Sequence, residues 1–426
     1  MTSAEHTTQE LSSREVRLNM EVTQTTGESN KLHFFHVFFT TGYYLCIIPF
    51  RPVKNNKSKS YQLHTDSVQK LLCYCSWTLI MLGQLTVIRY RWQFGKSKRH
   101  PVIAYFKLVH AHVHACMYLC LFRTLYTKST EIIEMLNQVS NSTLLKNTGI
   151  TWWVVHCLHL LWIVLSFIAP IIGYELIDCR NWDFNQLLRS YSTIGRYTFF
   201  ATNDQPKLGQ LETLTPIHND DVIYAFLQLI VSIPSSFQLF TIIPLLGCCS
   251  ITIWSATNTF VDETLVSNNN CKKKSIEVIS TEFRELKRLA NSINSVWNQF
   301  CFWYLMDIVA WYSTELDAGL VSNDWFVKFV ILNYLFSFTA VMLLSAESFR
   351  KVGYMCQELS GWSDEENGYN AEGLEREVSS AVIGLGSNGF YKFDYSFLAQ
   401  VTVVIITYFI ISVDKSIERT VVIIGE

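Results

Sequence analysis

SIEVISTEFRELKRLANSINSVWNQFCFWYLMDIVAWYS, Ser275 to Ser313, changes character halfway along. In its first part Ile276, Ile279, Phe283, Leu286, Leu289, Ile293 and Val296 recur among charged and polar neighbours. That spacing draws one apolar stripe on a helix that otherwise faces water. From Trp297 onward the stretch is apolar all round, as suits a helix set in hydrocarbon. One helix is therefore expected to leave a membrane and continue into the cytoplasm.

The whole chain supports a membrane reading. Hydrophobic residues make up 49% of the 426 positions and charged residues 16%, against roughly 25% charged in soluble domains. The apolar residues cluster in eight blocks, about 32–50, 71–88, 101–122, 150–173, 222–256, 297–316, 325–346 and 396–413. The middle six are long enough to cross about 30 Å of hydrocarbon. The block 222–256 exceeds one span and should project or tilt, and Pro234 and Pro244 predict kinks in it. The net charge of -2 excludes a basic nucleic-acid surface. Most of the twelve cysteines lie inside apolar blocks and read as small packing residues. Residues 1–30 lack the basic start and apolar core of a cleaved signal peptide and read as a mobile tail.

Lys and Arg in short loops set the orientation. Lys54, Lys57, Lys70, Arg123, Lys272, Lys273, Lys274, Arg350 and Lys351 favour a cytoplasmic side for 51–70, 123–149, 257–296 and 347–395, with the C-terminus outside. The basic run 89–100 opposes that choice. The sequons at Asn56 and Asn141 then fall on the cytoplasmic side, so sugar on either would contradict the topology. LEREVSSAVIGL, beginning at Leu374, is a second amphipathic piece able to pack beside 275–296 under the membrane. GLGSNGF, Gly384 to Phe390, has no preceding strand and reads as a turn rather than a phosphate loop.

Few residues carry chemistry. His110 and His114 share a helix face and could clamp a metal, but no HExxH pattern occurs and no carboxylate lies nearby in sequence. No metal, cofactor or catalytic residue is therefore assigned. Lys107 and Asp307 are ionisable groups inside apolar blocks, each costing about 2.5–3.5 kcal/mol at a bilayer centre unless it faces protein or water. They define a candidate ligand pocket with His110, Trp311 and Tyr312; a structural ion pair between helices is the plainer alternative.

In the last block, VTVVIITYFIISVDK (Val401 to Lys415), Gln400, Thr407 and Asp414 recur every seven residues, so they share a helix face. Val403, Val404, Ile410 and Ile411 fall between them. Four such helices around an axis would enclose a narrow pore with an apolar constriction and an acidic ring near its outer mouth, a cation-favouring arrangement. Alternatively, Gln400 and Thr407 bond neighbouring helices and Asp414 marks the water interface.

Thr407-Tyr408, followed by a hydrophobic run, resembles the C-terminal signature of insect-type gustatory receptors, which are related to insect odorant receptors. Gly389, Phe390, Phe393, Asp394 and Leu398 resemble that family's lead-in, and CIIPFRP and LKRLANSINSVWNQF resemble two further elements, so that the likeness runs along essentially the whole chain. It implies an all-α membrane protein with seven transmembrane helices, an N-terminal re-entrant element at 32–50, a cytoplasmic N-terminus, an extracellular C-terminus and cytoplasmic anchor helices. It also implies a tetrameric channel, opened by a small-molecule tastant in the plasma membrane of chemosensory neurons, with the last helix lining the pore. Asp414 and Lys415 stand where the family carries Gln and Phe. Outside that resemblance, a G-protein-coupled seven-helix receptor would place the C-terminus inside, and a transporter would show internal repeats, of which none is convincing here.

Overall fold

The computed structural model describes residues 35–55, 60–97, 101–145, 157, 160, 161, 164, 188, 189, 191, 192, 195, 196, 219–269, 275–321, 325–360, 368–387, 391–407 and 410. It is a bundle of long helices. In chain order the elements are α1 (35–44), strands β1 (Arg51–Asn55) and β2 (Ser60–His64), then α2 (Ser67–Ser97), α3 (Pro101–Thr127), α4 (Ser129–Asn141), α5 (Asn219–Asn269), α6 (Ile276–Val321), α7 (Trp325–Ser360) and α8 (Gly368–Ser380). Strands β3 (Gly386–Ser387) and β4 (Tyr391–Lys392) lead into the last helix, α9 (Tyr395–Thr407).

The opening stretch does fold as one helix. α6 runs 46 residues without a break, about 69 Å at 1.5 Å per residue. Ile279, Phe283, Leu286, Leu289, Ile293 and Val296 are all buried, so the stripe inferred from spacing is the packed face. α3, α4, α5, α7 and α8 all pack on α6, and α3 does so most extensively. α5 is likewise continuous, 51 residues passing through Pro234 and Pro244 without losing its helical assignment.

Burial separates the lipid-like helix from the core. Ser67–Arg89 is the one segment, among the described residues, long and apolar enough to cross a membrane, with a mean hydropathy of 1.7. Only 17% of that window is buried. A soluble core helix of such composition would be covered; here Leu71, Leu72, Leu82, Leu85 and Val87 point outward, which water would penalise and hydrocarbon would not.

Several elements depart from the expectation. Residues 51–55 and 60–64 pair as antiparallel strands rather than forming a plain loop, with Arg51 opposite His64 and Asn55 opposite Ser60. Asn137 of α4 docks the pair, accepting from Tyr61 N at 2.6 Å and donating to Tyr61 O at 3.1 Å. α4 lies inside the supposed loop 123–149 and buries Ile132, Ile133, Met135, Leu136 and Val139. The basic run after Ile88 continues α2 through Ser97 and leads, after a short connection, into α3, against which α2 packs. LEREVSSAVIGL is helical only to Ser380; Ala381, Ile383 and Leu385 follow in non-helical backbone, yet are buried.

Asn294 fixes that extended piece. Its Nδ2 donates to Gly384 O at 2.8 Å and its Oδ1 accepts from Gly386 N at 3.2 Å. Gly384 has φ +150, and a Cβ there would stand 3.0 Å from Ser345 O, so glycine is required on both conformational and steric grounds. Within GLGSNGF, Gly386 and Ser387 form β3, which pairs antiparallel with β4; Asn388 to Phe390 lie outside the described residues.

Candidate functional site

The pairing of α3 on α6 brings three chemically active side chains together. His110 and His114 project from one face of α3 because four residues make about one turn. Asp307 faces them from α6, buried, at a separation of 193 residues from His114. His114 Nδ1 and Asp307 Oδ1 are hydrogen-bonded at 2.9 Å. His110 Nε2 lies 3.4 Å from the same oxygen but makes no hydrogen bond. One ligand-type atom from each residue falls within 4.8 Å of those from the other two.

The remaining pocket candidates divide. Lys107 is half-buried on the α3 face that carries His110 and His114. Trp311, one turn beyond Asp307, is also half-buried, with its ring edge-on to Tyr312 at 5.0 Å. Tyr312 turns away and donates its hydroxyl to Ile331 O of α7 at 3.1 Å. His112 leaves the cluster, its Nδ1 2.8 Å from Leu108 O. Sequence reasoning joined His110 to Asp307 but left His114 outside the pocket. The carboxylate judged missing from the histidine pair is Asp307 itself. The i, i+4 spacing was the available signal; the partner helix was not readable from one sequence.

α9 presents a second site. Asp394 caps its N-terminus, its Oδ1 accepting from Phe397 N at 2.8 Å, as an N-cap aspartate does. Val401 is buried and Ile405 packs on the core, whereas Gln400, Val403, Val404, Thr407 and Ile410 are exposed. The described members of the stripe picked from the seven-residue spacing are therefore on the uncovered side of this chain. Tyr408, Ile411, Asp414 and Gly389 lie outside the described residues, as do both the Asn56 sequon and residues 1–34.

Below the bundle Glu285 of α6 accepts from Ser142 Oγ at 2.7 Å, Thr143 N at 2.8 Å and Thr143 Oγ1 at 2.8 Å. Partial burial pushes the Glu285 carboxyl up, but these hydrogen bonds outweigh it and hold the group below the usual glutamate range.

This bundle has the fold of a solved insect olfactory receptor. The solved structure of the insect olfactory receptor OR5 from Machilis hrabei is 13% identical to the chain with a TM-score of 0.57, and the match covers 93% of this chain and 98% of that one. The same receptor in complex with eugenol matches at 12% identity and a TM-score of 0.54, over 90% and 99%. No protein-family model and no curated sequence matches the chain.

Proposed function

We propose that the chain is a chemosensory receptor of the gustatory type, in which a small-molecule tastant opens a non-selective cation pore. The carrying observation is a fold likeness to an insect olfactory receptor that spans nearly the whole of both chains. Thr407 and the N-capping Asp394, both on the sequence signature, support the gustatory branch.

In this reading the protein is multi-pass in the plasma membrane of sensory neurons. Residues 1–30 are a cytoplasmic tail, and 31–256 and 297–346 hold the membrane helices and pocket elements. Residues 257–296 and 347–395 anchor the assembly in the cytoplasm, 396–413 lines the pore, and 414–426 lies outside. Residues 32–50 are the re-entrant element of this reading, interrupted by Thr40, Thr41 and Gly42 and closed by Pro49 and Pro52. Four subunits, alike or drawn from related receptors, place the exposed face of α9 around the axis. The tastant sits among His110, Asp307, Trp311 and Lys107, with Tyr312 bracing the helix behind it.

Calcium imaging of a heterologous cell line against a tastant panel tests the receptor reading. Patch recording of Asp414→Asn tests the pore: altered cation permeability or block with ligand binding retained is expected. Unchanged permeation at normal surface expression would remove Asp414 from the mouth.

A further inference from the structure

The His110–His114–Asp307 cluster has more donors than its internal hydrogen bonding uses. His110 Nε2 is buried and unbonded. The Tyr304 hydroxyl, three residues before Asp307 on α6, is also buried and unbonded. Buried polar atoms without partners are uncommon and call for a cause. His110 Nε2, 3.4 Å from a buried carboxylate and without a hydrogen bond, marks a place arranged for something other than the protein itself.

We propose that His110, His114 and Asp307 form a binding site for a divalent ion of the zinc type. Two neutral imidazoles and one carboxylate are a donor set suited to zinc and its neighbours. Zinc takes nitrogen at about 2.0–2.1 Å and carboxylate oxygen at about 2.0–2.2 Å, so tetrahedral ligand atoms stand roughly 3.3 Å apart. The distances here, 2.9 Å and 3.4 Å to the Asp307 oxygen, bracket that value. The whole set lies within 4.8 Å, so small side-chain rotations close it. The ion takes over the His114–Asp307 hydrogen bond and supplies His110 Nε2 with a partner. Three protein ligands leave a fourth position for water or a ligand heteroatom. His110 and His114 keep 14% and 22% side-chain exposure, which gives the ion a way in. An ion held there ties α3 to α6, the most extensive helix pairing in the bundle.

The site does not depend on the channel reading, and its test needs no gating ligand. The full chain is purified in detergent without a histidine tag, and Zn2+ binding is measured by titration against a chromogenic chelator. Co2+ is titrated in parallel for the visible absorption of a four-coordinate ion. Expected are one site per chain and a loss of affinity in His110→Gln. Because second-shell losses alone weaken metal sites roughly 10–100-fold, loss of a direct ligand should cost roughly tenfold or more. His110 stands 3.4 Å from Asp307, so a thermal melt of His110→Gln beside the parent checks that the variant keeps its fold. Asp307→Asn should abolish the Co2+ band, while His112→Ala, on another face, binds as the parent does. Absence of a stoichiometric site overturns the proposal, as does equal affinity in parent and His110→Gln, or an equal loss in His112→Ala.

Discussion

At the scale of single residues, buried polar side chains do the joining that apolar packing leaves undefined. Asn294 holds both a carbonyl and an amide of the segment leading to α9. Replacing it with leucine orphans two buried backbone groups, at about 1–3 kcal/mol each. A lowered melting temperature of the detergent-solubilised protein is expected for Asn294→Leu, with Thr281→Ala, on exposed α6 surface, as the unchanged reference. Glu285 gives a pH signature. Its folded pKa is depressed, so its stabilising contribution is present above the unfolded glutamate range and fades as pH falls through the lower folded value. Glu285→Gln should therefore melt earlier than the parent at neutral pH, and the difference should shrink on acidification. A constant difference from pH 7 to pH 3 would mean the carboxylate's charge is not what Ser142 and Thr143 recognise.

At the scale of elements, legibility followed periodicity. α6 was readable because its first part keeps one stripe for seven positions, each side chain reporting its own face. α4 carries the same signal in EIIEMLNQV, but a single short helix inside a charged stretch was absorbed into a loop. Its stripe is a real core contribution. Leu136→Ala should cost about 2–5 kcal/mol through the cavity it leaves, whereas Glu134→Ala, on the exposed side, should change the melting temperature little. The strand pair β1–β2 was hidden for another reason. Its strands are short and mixed, and they persist because Asn137 grips Tyr61 from a distant helix, a contact no local window contains. The histidine cluster was half legible on the same ground: spacing within α3 showed the pair and the pocket reading joined His110 to Asp307, but only the α3–α6 packing showed that His114 meets the same carboxylate.

At the scale of the whole molecule, the proposed channel reading turns on α9. Its buried side, Val401 and Ile405, is satisfied within the subunit. Its open side carries Val403, 62% exposed, and Ile410, 59% exposed, which water alone would leave costly. Lipid, a neighbouring subunit or a narrow pore would each cover it, and they differ in which residues meet water. At about 100° per residue, Gln400, Val404 and Thr407 fall within one sector, while Thr402, also exposed, lies roughly 140° around from Thr407. Cysteine substitution separates the cases. A charged thiol reagent applied from outside should block ligand-evoked current in Thr407→Cys and leave Thr402→Cys conducting, if the first face lines the pore. Block confined to Thr402→Cys would turn the helix around and move the pore to the opposite side. Modification of neither, with both variants at the surface and both responding to ligand, would seal α9 in lipid or protein and remove it from the conduction path.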